Sequence, residues 1–197
     1  MPATLPLRDI RVIRGTSAGS RTAVARWQNG LVRIDLPAGL SGRQQAAMLD
    51  RMLWRALGRA MSPVAEAWAR ELNARLGGAE LAGVSFHRQQ RRFGSCSARR
   101  RIYLSHRLLV APAPLTAAVI LHELAHLDCL NHGPRFWQIL AAADPGCRGR
   151  RTELQAYSRV WESWWGARLR ELMRTSATGI DWRALLGQES AARKRTI

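Results

Sequence analysis

Residues 119–137 read VILHELAHLDCLNHGPRFW, and this stretch constrains the chain more than any other. It holds His122-Glu123-Leu124-Ala125-His126, two histidines four apart with a glutamate directly after the first. On a helix, residues at this spacing stack with Cβ atoms roughly 5–6 Å apart, so both imidazoles can point at one ion. Hydrolysis at such an ion also needs a base that takes a proton from water without occupying a coordination site, and Glu123 is placed for that role. A third donor follows at His132. Helical signals run on through Leu127 and Leu130, Asn131 and Gly133 tolerate positive φ, and Pro134 can open a new helix. A sharp turn over residues 131–133 would swing His132 back over the helix end. Three nitrogens at about 2.0–2.1 Å from one zinc ion, with a fourth position for water, make an open catalytic site. The bland alternative is ordinary helix and loop histidines. Against it, three of the chain's five histidines fall within these eleven residues.

At 197 residues the chain suits one domain of ordinary size, or one domain with an appendage, and can bury roughly 70 % of its unfolded surface. Cys96, Cys129 and Cys147 are odd in number and lack C-x-x-C spacing, so no disulfide framework is expected. The first residues lack the apolar core of a signal peptide, and no apolar run reaches the roughly 20 residues that span a bilayer. The expectation is a cytoplasmic protein with no membrane span. The net charge of +17 is compatible with nucleic-acid binding. Lys194 is the only lysine, however, and the arginines are spread along the whole chain, which equally describes a solvated basic surface.

Along the chain, residues 8–36 alternate in the manner of strands, with Asn29-Gly30 as a hairpin signal, and predict a small antiparallel meander. Ser41 is a candidate N-cap for a helix carrying Met48, Met52, Leu53 and Leu57, and a second helix spans Pro63 to Leu76. Trp54 and Trp68 sit at core spacing on these helices. Residues 84–87 and 101–105 predict a hairpin of two strands around a basic turn at 91–98. A short helical turn at 106–110 follows, and Pro112 and Pro114 lead into the apolar helix that carries His122. Residues 136–140 make the next helix, with Trp137 and Leu140 as wall residues, ending near Asp144-Pro145-Gly146. From 151 to 173 a long amphipathic helix presents Leu154, Tyr157, Val160, Trp161, Trp164, Leu169 and Leu172. Residues 179–197 hold one more helical turn and a basic tail. Tyr103 and Arg92 are candidate substrate-binding residues, able to reach a developing oxyanion.

Arg92-Phe93-Gly94-Ser95-Cys96-Ser97, then Ile102-Tyr103-Leu104, then the His122 helix and Asn131-His132-Gly133 with Phe136-Trp137, together resemble the YgjP-like metallopeptidases, relatives of the SprT-like and WLM groups. The resemblance covers about residues 21–154. It implies an α+β minimal zincin fold, with a small antiparallel sheet packed on a buried zinc-binding helix and an added C-terminal helical segment. It also implies His122, His126 and His132 as zinc ligands, Glu123 as catalytic base, and a protein or peptide substrate. Residues 1–155 would form the peptidase domain and 156–197 the extension. Phe93 and Ser105 stand where the family usually has Trp and Asn.

Two other classes fit parts of this pattern. The spacing His-x-x-x-His-x5-His is also that of YbeY-like endoribonucleases, metal-dependent nucleases whose first histidine is followed by glycine; Glu123 favours peptide hydrolysis. A non-catalytic nucleic-acid-binding protein with structural zinc would need a fourth protein ligand. Cys129 offers one, although its position also suits a buried core thiol. Metzincin peptidases share the ligand spacing, but they require glycine where Cys129 stands.

Overall fold

The computed structural model describes residues 11–17, 22–28 and 31–174. Asn29-Gly30 and the tail at 179–197 lie outside the described residues. The fold is α+β, and its described residues fall into two compact units, one from Gly58 to Trp161 and one joining the residues up to Leu57 with those from Glu162. Among the described residues no helix is long and apolar enough to cross a membrane.

In the second of these units, β1 (Arg11–Ser17), β2 (Val24–Gln28) and β3 (Leu31–Pro37) form one sheet in the order β1-β3-β2. The expected antiparallel meander is corrected here. β2 pairs antiparallel with β3, but β1 lies parallel to β3 on its other side. Local turn chemistry specifies only the adjacent pair; β1 must bind the one edge of β3 left open. Val32, Ile34 and Leu36 are buried by the period-two alternation, and between them Asp35 accepts from Arg26 and Arg33 at 2.9 Å each.

Helix α1 (Gly42–Ala74) is continuous for 33 residues where two helices were expected. Its start is a reciprocal capping box, with the Ser41 N–H donating to Gln44 Oε1 at 2.9 Å and the Gln44 N–H to Ser41 Oγ at 3.4 Å. Pro63 lies inside it without ending it. The neighbouring Ser62 Oγ donates to the Gly58 carbonyl at 2.7 Å and accepts the Phe86 N–H at 3.2 Å, so one bond within the helix and one from outside it meet next to a residue that lacks a donor. Trp54 and Trp68 are buried, as their spacing predicts. Asp50 Oδ1 accepts from the indoles of Trp54 at 3.0 Å and Trp165 at 2.8 Å.

In the 58–161 unit the second sheet has the order β4-β6-β5, formed by β4 (Gly83–His87), β5 (Gly94–Cys96) and β6 (Arg101–Ser105). This too corrects the expected antiparallel hairpin. β4 and β6 are parallel, and residues read as turn supply β5, the antiparallel edge strand. Ile102 and Leu104 are fully buried. A 3-10 turn (His106–Leu109), N-capped by Ser105, leads into α2 (Ala113–Ala125), which has Pro112 as N-cap and ten buried residues. Next come α3 (Pro134–Ala143) and α4 (Cys147–Arg174). On α4, Tyr157 is buried and Val160 is 54 % exposed, so the apolar stripe is narrower than its sequence suggests.

Candidate metal centre

Helix α2 ends one residue before His126, which is its C-cap with φ −71°. The chain continues as tight turns, with the N–H of Leu127 on the Leu124 carbonyl at 2.9 Å and that of Cys129 on the Ala125 carbonyl at 3.0 Å. The following reversal does not use positive φ. Gly133 has φ −71°, and its N–H instead bonds Asn131 Oδ1 at 3.1 Å. Asparagine shapes this turn through its side chain.

The result brings His122, His126 and His132 together, with one donor nitrogen from each lying within 4.8 Å of the others. His132 Nε2 is 3.0 Å from His122 Nε2, a distance at which two lone pairs repel unless a proton or a cation lies between them. His126 Nδ1 is 2.9 Å from the Cys129 carbonyl. A carbonyl only accepts, so Nδ1 carries the proton and Nε2 keeps its lone pair. Burial, then the neighbouring His126 and His132, push His122 down to about 4. Burial, then His126 and Arg151, also lower His132. These imidazoles are therefore neutral near pH 7, the state in which nitrogen binds zinc. The donor set fits a divalent zinc ion. Among the described residues this group comprises three histidines, and Cys129 enters through its carbonyl.

Phe136, with no exposed surface, backs the cluster. Its ring centroid lies 5.0, 4.8 and 4.6 Å from those of His122, His126 and His132. Aromatic packing restricts all three rings from one side.

Glu123 is buried at 6 % exposure. Burial pushes its carboxyl up to about 7, while the positive charge of Arg92 and a hydrogen bond from the Cys96 N–H pull the other way. The bonding of β5 explains this amide. The Ser105 N–H bonds the Phe93 carbonyl and the Ser97 N–H the Arg101 carbonyl, so by alternation the backbone groups of Gly94 and Cys96 face away from β6. A Cβ on Gly94 would stand 2.7 Å from Glu123 Cγ; glycine is needed here for close approach. Gly94 and Cys96 carry no strand periodicity, and 91–98 reads as a turn from sequence. The only available signal was a glycine beside small residues.

Glu123, His122 and His132 open into a cavity of about 640 Å³, whose walls include Arg92, Gly94 and Trp137. Of the two candidate substrate-binding residues, Arg92 lines this cavity and Tyr103 does not. Tyr103 lies on the central strand with its ring centroid 4.6 Å from that of His87. Ser105 is buried, N-caps the 3-10 turn and donates from Oγ to the Gln89 carbonyl at 2.8 Å. Arg107, another residue the sequence did not flag, is 4 % exposed. It donates to the Gln90 carbonyl at 2.8 Å, the Arg92 carbonyl at 3.4 Å and Ser158 Oγ at 2.9 Å, and its guanidinium lies 4.4 Å from the Phe93 ring centroid. It clamps the segment that carries Arg92 and Gly94.

Three histidines meeting beside a buried carboxylate in an open cavity define a candidate centre of the metal-dependent hydrolase class. The pattern of the YgjP-like metallopeptidase domain matches residues 9–157, and the chain belongs to that family. No curated protein and no solved structure matches the chain.

Proposed function

We propose that the protein is a zinc-dependent metallopeptidase that hydrolyses peptide bonds with Glu123 as general base. His122, His126 and His132 would hold one zinc ion. Zinc, when bound, polarises a substrate carbonyl and brings the pKa of a water molecule near 7. The chain does the rest. Glu123 takes a proton from the attacking water at one carboxylate oxygen and returns it to the leaving amine. A group that must both accept and donate works best with a proton affinity near the working pH. The Cys96 N–H steadies the carboxylate, the bare backbone of Gly94 leaves room for it, and Arg92 lies where substrate enters. In this reading residues 1–155 are the peptidase domain and 156–197 an extension, and the three free cysteines suit a cytoplasmic setting. Glutamate at position 123 favours this chemistry over a nuclease.

The observation that carries the reading is the convergence of three imidazoles beside a buried carboxylate. The test measures zinc content and cleavage of denatured casein by wild type and Glu123→Gln. We expect equal zinc in both proteins and a rate at least about 10²-fold lower in the variant. A wild type with stoichiometric zinc that cuts no denatured protein would overturn the proposal.

A further inference from the structure

Four arginines line the cavity, Arg91 and Arg92 from the segment before β5 and Arg150 and Arg151 from the start of α4. Its lining contains two carboxylates, Glu123 and Asp144. Asp144 Oδ2 lies 3.6 Å from Arg150 Nε, and Arg150 also reaches Glu153 at 3.1 Å, so the charge of Arg150 is met within the protein. Arg91, Arg92 and Arg151 have no ion-pair partner among the described residues. In a chain this basic, an arginine without a carboxylate is common at the surface. These three differ by converging on one concavity beside the reacting groups. Arg92 and Arg151 line the same cavity as Glu123 and His132.

We infer that the cavity selects extended peptides with acidic side chains flanking the scissile bond, Arg92 and Arg151 being the residues that read them. The inference rests on the peptidase reading and names its substrate class. The outward backbone of Gly94 gives an extended chain a place to pair. Nucleic acid would satisfy the same arginines but also needs aromatic faces for its bases. Of the aromatic rings Phe93 and Trp137 on this lining, the first already has the Arg107 guanidinium 4.4 Å from its centroid and the second the Arg148 guanidinium at 5.0 Å. Acidic peptide is the occupant these walls suit.

The test uses the full-length zinc-loaded protein and matched quenched peptides with Glu, Gln or Lys on each side of the cleaved bond. The expected order of kcat/KM is Glu over Gln over Lys, about tenfold per step, with the span shrinking in high salt. Arg151→Gln should flatten the order on one side of the bond and Arg92→Gln on the other. Arg151→Glu should invert it on its side, which loss of folding cannot imitate. Binding of the same peptides to zinc-loaded Glu123→Gln is followed by anisotropy, with a single-stranded oligonucleotide as competitor. Equal cleavage of Glu and Gln peptides overturns the acidic preference and leaves the peptidase reading intact. No cleavage at all, with arginine-dependent binding of the Glu peptide, upholds the selectivity and removes the peptidase reading. Equal binding of Glu and Gln peptides, with tighter binding of the oligonucleotide, overturns the inference in favour of nucleic acid.

Discussion

Glu123 titrates under two opposed demands, and the opposition can be measured in the metal-free protein. Its carboxyl is moved by burial from 4.5 to about 7. Between those values the unfolded chain has already released the proton that the folded chain retains, so rising pH favours unfolding through this window. Above about 7 the folded protein carries an ionised carboxylate against its burial, at a cost of about 3 kcal/mol or less. His122, lowered to about 4, acts in the reverse sense, since its stability contribution is lost as pH falls below 6.5. It is common to wild type and Glu123→Gln and cancels in the comparison. Thermal melts of the metal-free proteins should show Glu123→Gln more stable than wild type at pH 8 by several degrees, with the gap closing towards pH 4.5. Equal melting at pH 8 would remove burial as the cause. The three histidines were legible because two share a helical face and a turn follows at once. Cys96 and Gly94 were not, because their contact with Glu123 joins elements far apart in sequence.

Elements with strong local signals were readable in advance, and those fixed by tertiary bonds were not. The N-cap at Ser41, the prolines at the start of α2 and the end of α3 at Asp144 all follow from neighbouring residues. Pro63 misled because Ser62 bridges α1 to β4, and β5 was hidden because its partner strand comes later. Arg107 belongs at this scale, since it ties the approach to β5 against α4. Replacing it with methionine leaves the Gln90 and Arg92 carbonyls without this donor, which should lower stability by at least about 2 kcal/mol. It should also lower kcat/KM by about tenfold while zinc content stays the same. Lost stability with unchanged kcat/KM would reduce the residue to a structural part. Arg107→Lys, which keeps the charge without the planar fork, should recover only some of each loss.

For the whole molecule, the family match from residue 9 to 157 shows that the shared pattern runs well beyond the metal centre. Both sheets place their last strand in the middle, with the first strand parallel and the second antiparallel to it. Period-two alternation reveals strands but not which neighbour is parallel, so this order was not readable from sequence. Zinc should stabilise the assembled protein by mass action, about 2.7 kcal/mol when free ion exceeds its dissociation constant a hundredfold. Chelation should therefore lower the melting temperature by several degrees, and added zinc should restore it. An unchanged melt, with no metal retained beforehand, would mean that the three imidazoles hold no ion.

The edge strand β5 is three residues long, and of its outward amides the one on Cys96 is already bonded to Glu123. An exposed edge ordinarily invites stacking by other copies of the same protein, the first step of aggregation. Here Gly94 is left to offer the lone outward amide, enough for a single passing strand and too little to template a growing fibre.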